Sequence, residues 1–154
     1  MADVSPIPGD YPRLSPSLAV DGAPAAIDFY ARVLGAKEWL RFDMPDGKVG
    51  HAELEIGDSL LMVSDQMPEF GVLAPGSVGG TPVTITVYVE DVDEVVRAAL
   101  AAGATSLMEV EDQFYGDRVG QFTDPFGHRW HVATHVEDVS PEEMRTRMEA
   151  WSAG

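Results

Sequence analysis

The stretch "DVDEVVRAALAAGA" (Asp91–Ala104) decides how this chain folds. Taken alone it is an amphipathic helix. Asp91 is placed to cap its start, Val92, Val95, Val96 and Leu100 make an apolar stripe, and Gly103 stops it. Its neighbours give it weight. The alternating "VTITVYV" (Val83–Val89) precedes it as a strand. "TSLMEVE" (Thr105–Glu111), "RVGQFT" (Arg118–Thr123) and "HRWHVATH" (His128–His135) follow as three more. The front half has the same order. "LSPSLAV" (Leu14–Val20) reads as a strand. In "APAAIDFYARVLGA" (Ala23–Ala36), Pro24 suits a first helical turn. Ile27, Tyr30, Val33 and Leu34 form its stripe, and Gly35 ends it. "KEWLRFDM" (Lys37–Met44), the turn "PDGK" (Pro45–Lys48), "VGHAELEIG" (Val49–Gly57) and "SLLMVS" (Ser59–Ser64) complete the set. "VLGA" (Val33–Ala36) closes the first helix as "AAGA" (Ala101–Ala104) closes the second.

An internal repeat fixes architecture before any other feature does. Each half is a βαβββ unit, with one sheet face covered by its helix and the other bare. The fold class expected is therefore α+β: two βαβββ modules whose bare faces curl into an open, cup-like mixed sheet, plus a C-terminal helix. The divisions expected are an N-terminal arm over 1–13, module 1 over 14–66, an inter-module loop over 67–82, module 2 over 83–138 and the C-terminal helix over 139–154. The loop, "DQMPEFGVLAPGSVGGTP" with its flanks, is rich in Gly and Pro, and its Met67 and Phe70 are suited to sealing a joint or covering the cup. In the tail, Ser140 with Glu143 makes a capping box, and Met144, Met148 and Trp151 give a stripe for packing.

Composition narrows the partners. At 154 residues the chain can bury a core without staples. It has no cysteine, which removes disulfides, zinc–thiolate sites and cysteine nucleophiles and fits a cytoplasmic address. The formal charge of −16 opposes nucleic acid and anionic membrane surfaces. "MADVSPIPGDYPRL" lacks a signal-peptide pattern, and no apolar run reaches bilayer length.

Strand alternation sorts the polar residues. His51, Glu53 and Glu55 lie opposite Ala52, Leu54 and Ile56, so they belong to the open side. Trp39, Arg41 and Asp43, and then Thr84, Thr86 and Tyr88, are expected there too. Three of the four histidines fall in "DPFGHRWHVATH" (Asp124–His135). In a helix they would share a face, but the "DPFG" turn makes this a strand. His131 and His135 then share one face and His128 takes the other. His51 is the candidate proton carrier, with Glu53 to orient it. Trp39, Tyr88 and Tyr115 offer flat surfaces to a ligand. Arg118 is a candidate for an anionic oxygen, or for pairing with Asp117.

The segments "IDFYARVLGA", "HAELEIGDSLLM", "VYVEDVDEVVRAALAAGA", "YGDRVGQFTDPFGHRWHVATH" and "EDVSPEEM" together resemble the vicinal oxygen chelate superfamily, in its glyoxalase/bleomycin-resistance-like branch. The resemblance spans Leu14 to Met144. It implies paired modules forming a cup, commonly in a homodimer, with a small-molecule ligand inside. In the enzymes of the superfamily a divalent metal is held by His, Glu or Gln from the first and last strand of each module. Carried onto this chain, those positions are Ser15, Met62, Thr84 and His131. Only His131 is an ordinary metal ligand. The resemblance therefore implies a small-molecule binding protein with no cofactor, of the antibiotic-sequestering kind, in which these four positions line the ligand. The alternative is a lyase, isomerase or dioxygenase with an atypical divalent metal site or with His51 as acid/base, Glu53 beside it.

Overall fold

The computed structural model describes residues 3–154. They form two compact units, one ending at Gly79 and the other starting at Gly80. The first contains β1 (Ser17–Val20), α1 (Ala23–Leu34), β2 (Lys37–Asp43), β3 (Val49–Ile56) and β4 (Ser59–Asp65), then a short α2 (Pro75–Val78). The second contains β5 (Thr84–Tyr88), α3 (Val92–Ala101), β6 (Thr105–Asp112), β7 (Asp117–Thr123), β8 (Arg129–His135) and α4 (Pro141–Ser152). Each unit holds a four-stranded mixed sheet, in the order β1-β4-β3-β2 and β5-β8-β7-β6. The first and last strands of each pair in parallel, and the other pairs are antiparallel. The class is α+β with a duplicated βαβββ unit and a C-terminal helix.

One sheet face in each unit is covered by the crossover helix. Ala23, Ala26, Ile27, Phe29, Tyr30 and Val33 of α1 are buried with Val49, Leu54, Leu61 and Val63. In α3 the buried set is Val92, Val96 and Ala99, while Leu100, expected in the stripe, is exposed. The helix sits too close for a larger face. A Cβ on Gly120 would lie 2.9 Å from Val96 Cγ2 and 2.8 Å from Val110 Cγ2.

Both helices are held by the last strand of their sheet. The N-cap of α1 is Gly22, which has no side chain to offer. Asp65 at the end of β4 supplies the cap instead, accepting from the N–H of Gly22 (3.0 Å) and Ala23 (2.9 Å) with Oδ1 and from Val49 N–H (2.7 Å) with Oδ2. In the second unit Thr134 of β8 takes the same place. Its Oγ1 accepts from Val92 N–H and donates to Val89 O, both at 2.9 Å. Asp91 adds a local cap, accepting from Glu94 N–H at 3.1 Å.

Three details depart from the sequence reading. The first strand is shorter, starting at Ser17. The inter-module segment is not structureless, since it holds a 3₁₀ turn at Pro68–Phe70 and α2. In β2 a register shift leaves Trp39 as the extra residue, so Leu40 pairs with Glu53, Phe42 with His51 and Arg41 with Ala52. A bulge reverses alternation for the residues that follow it. Leu40 and Phe42 are therefore on the helix-free face with Glu53 and His51, and Arg41 is on the covered one.

Candidate functional site

The polar groups of the second unit gather at one end of its helix-free face. Tyr88 ends β5, Asp117 begins β7, and His135 ends β8 directly opposite Asp117. Asp117 is buried, and both its oxygens are used. Tyr88 Oη donates to Oδ2 at 2.7 Å, and His135 Nδ1 meets Oδ1 at 2.8 Å. The other ring nitrogen of His135, Nε2, lies 2.8 Å from Asp138 Oδ1. Ionised carboxylates only accept, so this ring is served on both sides by acceptors and fits as the imidazolium. Accordingly the His135 pKa is raised, first by the hydrogen bond to Asp138 and then by that to Asp117. The Tyr88 phenol is pushed up by its bond to Asp117, and the Tyr115 phenol by burial.

These residues line an open pocket of about 530 Å³ together with Tyr115, Val139, Ser140 and Met144. Its wall depends on one turn. Gly116 has φ +100°, a conformation that disfavours any side chain, and a Cβ there would meet Glu137 O at 2.1 Å. The Gly116 carbonyl accepts from the N–H groups of Val136 and Glu137 at 2.9 and 3.0 Å. The chain after β8 is thereby laid against the turn that carries Tyr115 and Asp117. Arg147 of α4 fixes the next layer, donating to Phe114 O and to both Glu137 oxygens.

His131 sits further along the same face, half-buried, with Nδ1 3.2 Å from Gln121 Nε2. Thr84 starts the neighbouring strand and is exposed. Arg118 points the other way. Its guanidinium grips Asp93 through two bonds (2.7 and 2.9 Å) and Asp112 through a third (3.1 Å), so it does not pair with Asp117. Its donors are engaged by carboxylates on the helix side.

In the first unit, His51 and Glu53 do meet, with Nε2 3.0 Å from Oε1. Glu53 is buried, and its Oε2 accepts from Tyr11 Oη at 2.8 Å. The Tyr11 ring lies 5.2 Å from that of Trp39. Met62 is the cross-strand neighbour of Glu53, and Ser15 lies just ahead of β1. Sequence reasoning missed Tyr11, Asp138 and Met144, and gave His135 no role. The signal for His135 was its shared face with His131. Tyr11 and Asp138 stand in irregular segments, where periodicity says nothing.

The profile of the Glyoxalase/Bleomycin resistance protein/Dioxygenase superfamily matches residues 14–132, and the chain belongs to that superfamily. An uncharacterized Mycobacterium bovis protein, Mb0911c, is 44% identical over 93% of this chain and 96% of its own length. Among solved structures, TioX from Micromonospora sp. ML1 is similar with 31% identity and a TM-score of 0.63, over 81% of this chain and 99% of that one. Protein PA1353 from Pseudomonas aeruginosa matches with 25% identity and a TM-score of 0.68, over 82% and 99%.

The residues that the resemblance assigns to a divalent metal are not a usual donor pair in either unit. In the first unit Ser15 brings a neutral hydroxyl and Met62 a thioether, and in the second Thr84 brings a hydroxyl and His131 an imidazole. Hard and borderline ions need carboxylates or several imidazoles. Among the described residues no three His, Asp or Glu side chains are grouped to hold an ion.

Proposed function

We propose that the protein binds a small molecule without a metal, and that the pocket at Tyr88, Tyr115, Asp117 and His135 receives it. One observation carries this reading. A buried carboxylate, tied to a phenol and an imidazole, stands at the edge of a cavity of about 530 Å³. That volume suits a small ligand. Tyr115, Val139 and Met144 supply apolar surface, while Asp117 and Asp138 favour a donor or a positive charge. With His135 protonated, the two carboxylates leave one net negative charge. The ligand proposed is therefore flat, partly apolar, and carries an amine or another hydrogen-bond donor.

The test is a fragment screen followed by amide and side-chain NMR on the full chain. Support is a planar amine whose binding shifts Tyr88, Tyr115 and His135 and is lost in Asp117→Asn. Compounds that bind and shift only residues elsewhere sink the assignment.

A second reading, catalysis by His51, is favoured by its 3.0 Å contact with Glu53. That contact occupies Nε2, so Nδ1 is the nitrogen left for a substrate proton. Turnover abolished in His51→Gln but kept in Asp117→Asn is the result that selects it. We also propose a homodimer. Phe42, Met44 and Leu40 leave apolar surface exposed on one strand and its turn, and a second copy is a suitable cover.

A further inference from the structure

We propose that the first unit contains a phenol-binding site, and that the chain's own Tyr11 occupies it. The host is the helix-free face of the first sheet. Glu53 stands there with only 6% of its side chain exposed. A buried carboxylate is costly unless donors satisfy it. His51 satisfies Oε1 and the Tyr11 phenol satisfies Oε2. Trp39, set out by the bulge in β2, gives the ring a surface at 5.2 Å with the planes tilted by 38°. One carboxylate oxygen and one indole face thus recognise a ring and its hydroxyl together.

The occupant belongs to an irregular segment. Residues 3–16 form no helix or strand. Tyr11 N–H donates to Pro8 O and Ser5 Oγ to Ile7 O, and the segment joins the sheet where Met62 N–H donates to Pro16 O. A cavity of about 340 Å³ lies along the same segment, lined by Asp10, Pro12, Trp39, Glu55 and Leu60 among others. Small shifts of the segment have room there. When Tyr11 leaves, Glu53 loses a donor and Trp39 loses its cover. An outside molecule with the same two features restores both. The class of ligand is a simple phenol, and Tyr11 competes with it as a tethered pseudo-ligand. The site shares no residue with the pocket of the second unit, so either assignment can fail alone.

The probe is 4-methylphenol, the side-chain analogue of tyrosine, titrated calorimetrically into the full chain. A site open only part of the time shows an affinity reduced by that fraction. Tyr11→Ala is expected to bind the probe at least roughly fivefold tighter than wild type. Adding Glu53→Gln to Tyr11→Ala is expected to abolish the gain. 4-Methylanisole, which cannot donate, is expected to bind far more weakly than 4-methylphenol. Equal affinity in wild type and Tyr11→Ala, no binding to either, or equal binding of the two probes overturns the proposal. Should Tyr11→Ala fold poorly, wild type labelled with 3-fluorotyrosine gives the same answer. Saturating 4-methylphenol is expected to move the Tyr11 fluorine signal to a solvent-exposed position, and an unmoved signal overturns the proposal.

Discussion

His135 is the residue whose chemistry the structure constrains most. Two carboxylates take its two nitrogens, so the protonated ring is favoured and its pKa is raised. A raised folded-state value makes protonation stabilising. That contribution is complete below the unfolded imidazole value of about 6.5 and is lost as pH climbs through the folded one. NMR titration should therefore place the His135 midpoint above that of an exposed histidine. The gap in melting temperature between wild type and His135→Gln should be widest in mild acid and close toward alkaline pH. A gap that widens with pH contradicts the arrangement. In Asp117→Asn the midpoint should fall, because one of its two acceptors loses its charge. The face of His135 was legible in the sequence, since DPFG makes a turn and the strand after it alternates. Its partners were not. Asp117 meets it through β7–β8 register, and Asp138 lies beyond the strand.

At the scale of elements, one turn and two caps carry the two units. Gly116 is the position where the backbone leaves no room for a methyl group. Gly116→Ala should cost about 3 kcal/mol, read from urea unfolding, through left-handed backbone strain and the clash with Glu137. The Tyr115–Asp117 pocket should lose its ligand with it. Asp65→Ala leaves three backbone N–H groups without their acceptor and should cost about 3 kcal/mol or more. Thr134→Val removes one cap and should cost about 1–2 kcal/mol. Helices and strands were legible because burial repeats with their periods. Asp65 as a cap was not, because Gly22 and its acceptor are separated by 43 positions. Nor was the Trp39 bulge, which changes faces without changing composition.

For the whole molecule, the repeat was the most legible feature, and the occupant of each open face the least. Apolar side chains left on those faces favour self-association. Light scattering on a sizing column should give about twice the chain mass of 16.6 kDa. The value should fall toward one chain in Phe42→Glu, where a charge enters the proposed contact. A monomeric wild type rejects the dimer. The paired fastening of helix to last strand also bears on how the chain is made. The Asp65 bonds that cap α1 and reach Val49 all lie at or before residue 65. As the polypeptide leaves the ribosome, the first unit has the Asp65 cap of its helix before β5 exists. The second unit must wait for Thr134, close to the end of synthesis. The nascent chain is thus set to acquire structure in two instalments, the early one with its helix already locked while the later one is still being translated.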